Sequence, residues 1–311
     1  MAAVLNAVIP IFALILIGYL AAKKKILSHE ATHHLNLYVV WLALPALLFQ
    51  AMATTSWQTL YQPGFIGASM GSMLLVFIVY LIWQKNNTSL ADRSINSLSA
   101  SYSNTGYMGL PLCSLVFGPE GLTAAIISMI LTACVLFAMA IVFIELGVQS
   151  SPSLGNTLRK TALSLAKNPL IAAPVLGGLV AATPFNLPAP MLEFTRLLGA
   201  SASPCALVTI GLFLAQTDGK GLQTGTATLL GLKLLLLPAL TAVLAFYVFD
   251  MPLVYKQAAI LLAALPTGTG PFMLATLYKR NSQLVSQVIF LSTVISVLSI
   301  SLLIALFQAT A

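Results

Sequence analysis

Long apolar runs separated by short polar connections dominate this chain of 311 residues. A helix needs about twenty apolar residues to cross a bilayer. On that measure ten spans are predicted, at 4–22, 32–53, 63–83, 94–118, 121–147, 168–184, 190–216, 225–249, 252–279 and 284–308. Two of them are interrupted. Ser101-Tyr-Ser-Asn-Thr-Gly-Tyr-Met-Gly-Leu-Pro111 in the fourth and Ala264-Leu-Pro-Thr-Gly-Thr-Gly-Pro-Phe272 in the ninth place glycine, proline, hydroxyl and amide residues at mid-span. Backbone groups at that depth cannot be left unpaired.

A broken helix presents free carbonyls at the end of one half and free N–H groups at the start of the next. Two such breaks in one chain predict a small polar site in apolar surroundings, the kind of site that secondary transporters use. In the fourth span, residues 94–103 make about 15 Å of helix and residues 107–118 about 18 Å. Together they match a hydrocarbon core of about 30 Å, which puts the break near the midplane. Pro111 and Pro271 stand near the start of each second half-helix, where a missing N–H costs little, and Pro266 lies at the second break itself.

Composition agrees with an all-α integral membrane protein: 59% of residues are hydrophobic, 7% are charged, and the mean hydropathy is +0.97. The net charge of +7 gathers between spans rather than on a nucleic-acid-binding face. Lys23, Lys24 and Lys25, then Lys85 and Arg93, then Arg159, Lys160 and Lys167, then Lys220, then Lys279 and Arg280 fall in the odd-numbered connections, against Lys256 alone in the even ones. Basic connections stay cytoplasmic, so both termini are expected on the extracytoplasmic side. The first span has basic residues only after it, which argues for retention in the mature protein. Cys113, Cys134 and Cys205 lie inside spans without metal-ligand spacing, and neither a metal nor a cofactor is expected.

The polar stretch 148–167 separates residues 1–147 from 168–311, five spans on each side. Five is odd, so a duplicated half enters the membrane upside down relative to its twin. A shift of 159 aligns Pro10 with Pro169, Gly18 with Gly177, and Pro45 with Pro204; a shift of 162 aligns Thr105-Gly106 with Thr267-Gly268. These coincidences point to two inverted five-helix repeats joined by a cytoplasmic linker.

Tyr102-Ser-Asn-Thr-Gly-Tyr-Met-Gly-Leu-Pro-Leu112 resembles the fourth-span motif of the auxin efflux carrier superfamily, which includes plant PIN carriers and bacterial malonate and malate carriers. Leu265-Pro-Thr-Gly-Thr-Gly-Pro-Phe272 is similar to the matching ninth-span motif, and Leu44-Pro-Ala-Leu-Leu-Phe49 to the family's second span. The resemblance implies ten spans in an inverted repeat, with spans four and nine as crossed broken helices in a plasma membrane, the inner membrane of a bacterium. It also implies transport of a carboxylate-bearing anion bound beside the crossover. Two positions depart from the plant pattern: Ser103 stands where those carriers have proline, and Thr267 where they have glutamine. A small dicarboxylate is therefore expected rather than an indole acid. The assembly state stays open, a homodimer included.

The resemblance places the substrate-binding asparagine at Asn104; the alternative is that its amide only satisfies carbonyls freed by the break. Thr105, Thr267 and Thr269 offer hydroxyls to a ligand or caps to a helix end. Gly106, Gly268 and Gly270 permit unusual backbone geometry, and their N–H groups can hold an anion. Pro45 and Pro204 are expected to kink spans two and seven. Ser103, Ser201, Ser203, Thr132 and Gln287 are candidates for the site wall. Lys233, well inside span eight, is either functional or reaches back to the cytoplasmic interface. Enzymatic function is disfavoured, because the spans lack a metal-binding cluster or a carboxylate pair. A channel or a scaffold is the competing class.

Overall fold

The computed structural model of the chain describes residues 2–54, 61–84, 88–148, 169–183, 187–216 and 221–310, with single positions between them. These residues form helices, turns and one isolated bridge, with no strand among them. In chain order the helices are α1 (Ala2–Lys23), α2 (His29–Tyr38), α3 (Leu44–Thr54), α4 (Pro63–Trp83), α5 (Leu90–Ser101), α6 (Leu110–Ile130) and α7 (Phe137–Val148). They continue with α8 (Pro169–Ala181), α9 (Ala189–Ala200), α10 (Ala202–Gln216), α11 (Thr226–Gly231), α12 (Leu237–Val243), α13 (Leu253–Ala264), α14 (Gly270–Leu277) and α15 (Ser282–Thr310). The expected linker at 148–167 lies almost wholly outside the described residues.

Six stretches are long and apolar enough to cross a membrane: Glu30–Thr54, Pro63–Trp83, Thr105–Val148, Ala189–Gln216, Thr226–Val248 and Ser282–Ala309. Ile9–Lys23, within the 22 residues of α1, Ala172–Ala181, within α8, and Leu253–Ala264 are further apolar stretches. Two features separate these from ten uninterrupted spans. Thr105–Val148 runs for 44 residues, about twice what a bilayer needs, and is broken where Gly118 takes φ 66° before Pro119. The expected spans four and nine are interrupted, leaving α5 and α13 at 12 residues each and α14 at 8.

Three prolines enter their helices through the same device. Each of Leu44-Pro45, Leu110-Pro111 and Leu237-Pro238 follows a five-residue π turn, at Val39–Ala43, Thr105–Gly109 and Leu232–Leu236. The leucine N–H bonds five residues back in every case, to the carbonyls of Val39, Thr105 and Leu232. Proline has no N–H, and its ring collides with the carbonyl four residues earlier; widening the preceding turn relieves that collision without ending the helix. Pro45 therefore sits behind a widened turn. Pro204 differs: α9 ends at Ala200, and Pro204 lies in the first turn of α10 with its ring exposed.

Glycines set the closest helix contacts. A Cβ on Gly18 of α1 would lie 2.2 Å from the Val208 carbonyl oxygen of α10, and one on Gly211 would lie 1.9 Å from that of Ile15. On the other pair, a Cβ on Gly177 of α8 would lie 2.4 Å from the Phe49 carbonyl oxygen of α3. Gly18 to Gly177 and Phe49 to Val208 are both steps of 159 residues. The α1–α10 and α8–α3 contacts are thus built from corresponding positions. Small residues let helix backbones approach closely in a bilayer, where burial of apolar surface drives little association between helices.

These contacts predict opposite signs for one substitution at two glycines. Gly211→Ala puts a methyl into a backbone carbonyl and is expected to destabilise by roughly 1–3 kcal/mol, as overpacking does. Gly231→Ala faces open space and should be neutral or stabilise by up to about 1 kcal/mol through helix propensity. Melting temperatures of the two variants in detergent test this; equal shifts would count against tight α1–α10 packing.

Candidate functional site

Helix α5 ends at Ser101, after which Tyr102 turns extended at φ −87°, ψ 98°. Helix α13 ends at Ala264, and Leu265 turns extended at φ −57°, ψ 153°. The two interrupted stretches meet. Ser103 and Thr267 face each other in an antiparallel bridge. Asn104 N–H donates to the Pro266 carbonyl at 2.9 Å, and Gly268 N–H donates to the Tyr102 carbonyl at 3.0 Å. Each break thus pairs backbone groups that the other has freed, where no water is at hand to do so. The facing pair fixes a register of 164 residues, two more than the 162 suggested by the Thr-Gly repeat.

Side chains repeat the exchange. The Thr267 hydroxyl donates to the Ser99 carbonyl near the end of α5 at 2.9 Å, and the Ser103 hydroxyl donates to the Ala263 carbonyl near the end of α13 at 3.4 Å. Both acceptors lie four residues before the residue facing the donor. The Thr267 N–H is received by the Ser292 hydroxyl of α15 at 3.1 Å. Lys233, in the π turn before α12, is fully buried, and its Nζ donates to the carbonyls of Ala263 at 2.7 Å and Leu265 at 2.6 Å. A reach back to the interface is ruled out by that geometry. Carbonyls at a helix C-terminus carry partial negative charge, which draws the lysine inward.

The glycines of the breaks are required for space rather than for backbone freedom, a correction to the sequence expectation. Gly106, Gly109, Gly268 and Gly270 are all absent from the positive-φ glycines, which are Gly118 and Gly225. A Cβ on Gly268 or Gly270 would lie 2.9 or 2.8 Å from the Tyr102 ring, and one on Gly109 would lie 2.8 Å from a methyl of Leu262. Tyr102 therefore lies over the start of α14. Its aromatic ring is the signal the sequence reading passed over, although it opens the motif.

Asn104 is 6% exposed and Thr105 2%. Among the described residues no group hydrogen-bonds the Asn104 side-chain amide. The N–H groups of Gly106 and Tyr107 after the first break, and of Thr269 and Gly270 after the second, likewise have no acceptor among them. This leaves a set of neutral donors beside the bridge. Neutral donors in a low-dielectric setting suit a carboxylate, which is acceptor-only.

The other candidates divide. Thr132 donates to the Ser128 carbonyl at 2.6 Å in its own helix. Ser201 donates to the Leu198 carbonyl at 2.7 Å and shares a bond with the Tyr38 hydroxyl at 2.6 Å, tying α9 to α2; Ser203 is half-buried nearby. Gln287 accepts from Gln223 N–H at 2.9 Å and donates to the Gly221 carbonyl at 3.1 Å, so it fastens the segment before α11 and not the bridge. Tyr107, beside Asn104, donates to Asn36 of α2 at 2.8 Å. Glu193 and Arg196 form an i,i+3 pair, with two bonds of 2.6 and 2.7 Å on an exposed face of α9.

Residues 3–304 match the family described as "Membrane transport protein". The chain is 28% identical to a "Putative malonate transporter" of Rhizobium meliloti over 314 residues, covering 100% of this chain and 98% of that one. It is 25% identical to an "Uncharacterized transporter" of Methanocaldococcus jannaschii, covering 96% and 97%. It is 23% identical to "Auxin efflux carrier component 8" of Arabidopsis thaliana, covering 91% of each. With near-complete coverage in every case, the chain belongs to the membrane transport protein family that includes the auxin efflux carriers, and is a transporter rather than an enzyme.

Proposed function

We propose that this protein is a secondary carrier of small carboxylate-bearing organic anions, working by alternating access, with the substrate bound where the fourth and ninth spans cross. The carrying observation is the free amide of Asn104 beside a backbone bridge held by two hydrogen bonds between the breaks. The relative named for malonate favours a small dicarboxylate. Gly106, Tyr107, Thr269 and Gly270 belong to the proposed site through their backbone N–H groups, and Thr105, whose N–H is taken by the Ser103 carbonyl at 2.8 Å, through its hydroxyl. Thr267 and Gly268 are its frame, since their backbone and hydroxyl groups are committed to the other break. Saturable counterflow of a labelled dicarboxylate in proteoliposomes separates this carrier from a channel or a scaffold.

The ten-span inverted repeat is part of the same reading. It is supported by the shared step of 159 residues in the two glycine contacts and by the reciprocal caps at the bridge. With basic connections retained in the cytoplasm, both termini face outward. Fusions of each terminus to a periplasm-active and a cytoplasm-active reporter test this, and a cytoplasmic C-terminus would overturn the ten-span reading.

Asn104→Ala is expected to weaken dicarboxylate binding roughly ten- to hundredfold, because a hydrogen bond to a charged group contributes about 1.5–3 kcal/mol. Asn104→Gln should retain part of the affinity, and both variants should keep near-normal melting temperatures. Unchanged affinity in Asn104→Ala removes Asn104 from the site.

Among the described residues, the carboxylates Glu30, Asp92, Glu145, Glu193 and Asp250 lie towards helix ends or in connections and Glu120 just after the Gly118–Pro119 break, none beside the bridge. Without a carboxylate to hold Na⁺ or a proton, the anion moves down its own gradient and the membrane potential, or exchanges for another anion. A cytoplasm-negative potential favours export by about 2.3 kcal/mol per charge per 100 mV, about fiftyfold. The alternative is an ion-coupled symporter. Uptake into proteoliposomes clamped with potassium and valinomycin decides: transport that follows a pH or Na⁺ gradient at zero potential and ignores voltage would establish the symporter instead.

A further inference from the structure

Lys233 is a buried amine whose hydrogen bonds go to backbone oxygens, and nothing in the proposed transport cycle uses it. It has zero exposure, and its ammonium donates to two carbonyls, Ala263 and Leu265, at the end of α13. The Ser103 hydroxyl shares the Ala263 carbonyl, so the lysine is one hydrogen-bonded group away from the bridge. Among the described residues no carboxylate pairs with Lys233. An ammonium surrounded only by neutral oxygens at a helix C-terminus has the chemistry of a small monovalent cation site: oxygen ligands, partial negative charge from the helix dipole, and no counter-anion.

We infer that the Lys233 ammonium fills a monovalent-cation site built into the ninth-span break, and that removing it exposes that site to a cation from solution. The π turn at Leu232–Leu236 is the device that seats it. Widened turns change the angle at which a side chain leaves its helix, and this one aims the lysine at α13 just ahead of Pro238. The consequence for the wild-type chain is a carrier that brings its own cation to the break, so that it needs none from solution there.

Melting temperatures of the purified protein, measured at constant ionic strength in sodium, potassium, n-propylammonium and choline chlorides, test this without any transport assay. The wild type is expected to melt at one temperature in all four. Lys233→Ala should melt lower in choline than the wild type, and should rise by about 3 °C or more when sodium, potassium or n-propylammonium replaces choline. Choline has no N–H and is too large to enter the break. Lys233→Gln separates charge from capping, because its amide can still donate to these carbonyls. A purely structural cap predicts a salt-independent Lys233→Gln, whereas a cation site predicts that it too gains stability from sodium over choline. Identical salt responses in the wild type and both variants would overturn the inference. So would variants that cannot be recovered folded in any of these salts, since an external cation must then be unable to take the lysine's place. Because the readout is stability, it fails or succeeds independently of what the carrier transports.

Discussion

Backbone groups left unpaired by a break inside an apolar stretch are the constraint on which this structure turns. Such a break in one helix strands several carbonyls and N–H groups, each at a cost of several kcal/mol in hydrocarbon. Breaking two and laying them against each other lets each satisfy what the other has freed. The two bonds between Tyr102–Asn104 and Pro266–Gly268, the exchanged caps of Ser103 and Thr267, and the lysine on the α13 carbonyls form one hydrogen-bond account. Left without a partner among the described residues are the Asn104 side-chain amide and the first N–H groups of the two second halves. Free N–H groups at the start of a helix favour a negative charge, and the proposed anion site rests on that preference.

The packing around the bridge serves the same end. Tight glycine contacts join α1 to α10 and α8 to α3, so these helices form a closely packed unit beside the one that holds the breaks. The hydrogen bonds that link α2 to the region after the first break are few, and the one from Tyr107 to Asn36 is the nearest to the site. Rigid parts joined by sparse polar contacts can move against one another, a freedom that the proposed alternating access needs.

Much of this was legible in the chain itself. Apolar runs of sufficient length marked the helices, and clusters of Gly, Pro, Asn and Thr inside two of them marked the breaks, because so many poor helix formers together end a helix. The family resemblance was carried by those same residues. The destination of Lys233 was not legible, since a lysine two turns into a span looks the same whether it turns outward or inward. Nor was the register of the bridge: Thr105-Gly106 and Thr267-Gly268 look equivalent in sequence, yet Ser103 is the residue that faces Thr267. Pairing between segments 164 residues apart leaves no local signature in composition or periodicity. The role of the glycines was misread for a related reason, because the ring they make room for belongs to the other break.

The antiparallel bridge also limits how such a chain can change over generations. In paired extended segments, adding or losing one residue turns every following side chain to the opposite side. A single-residue insertion at Tyr102–Asn104 would swing Ser103 away from Ala263 and leave Pro266 and Gly268 facing the wrong partners. Such an insertion is tolerated only if a residue is lost from the same segment or a matching change arises in the ninth span. Neither crossing segment can therefore alter its length alone, whereas the connections at the membrane surface are free to lengthen. Divergence of substrate preference in this architecture is accordingly confined to side-chain replacement around a fixed-length crossing.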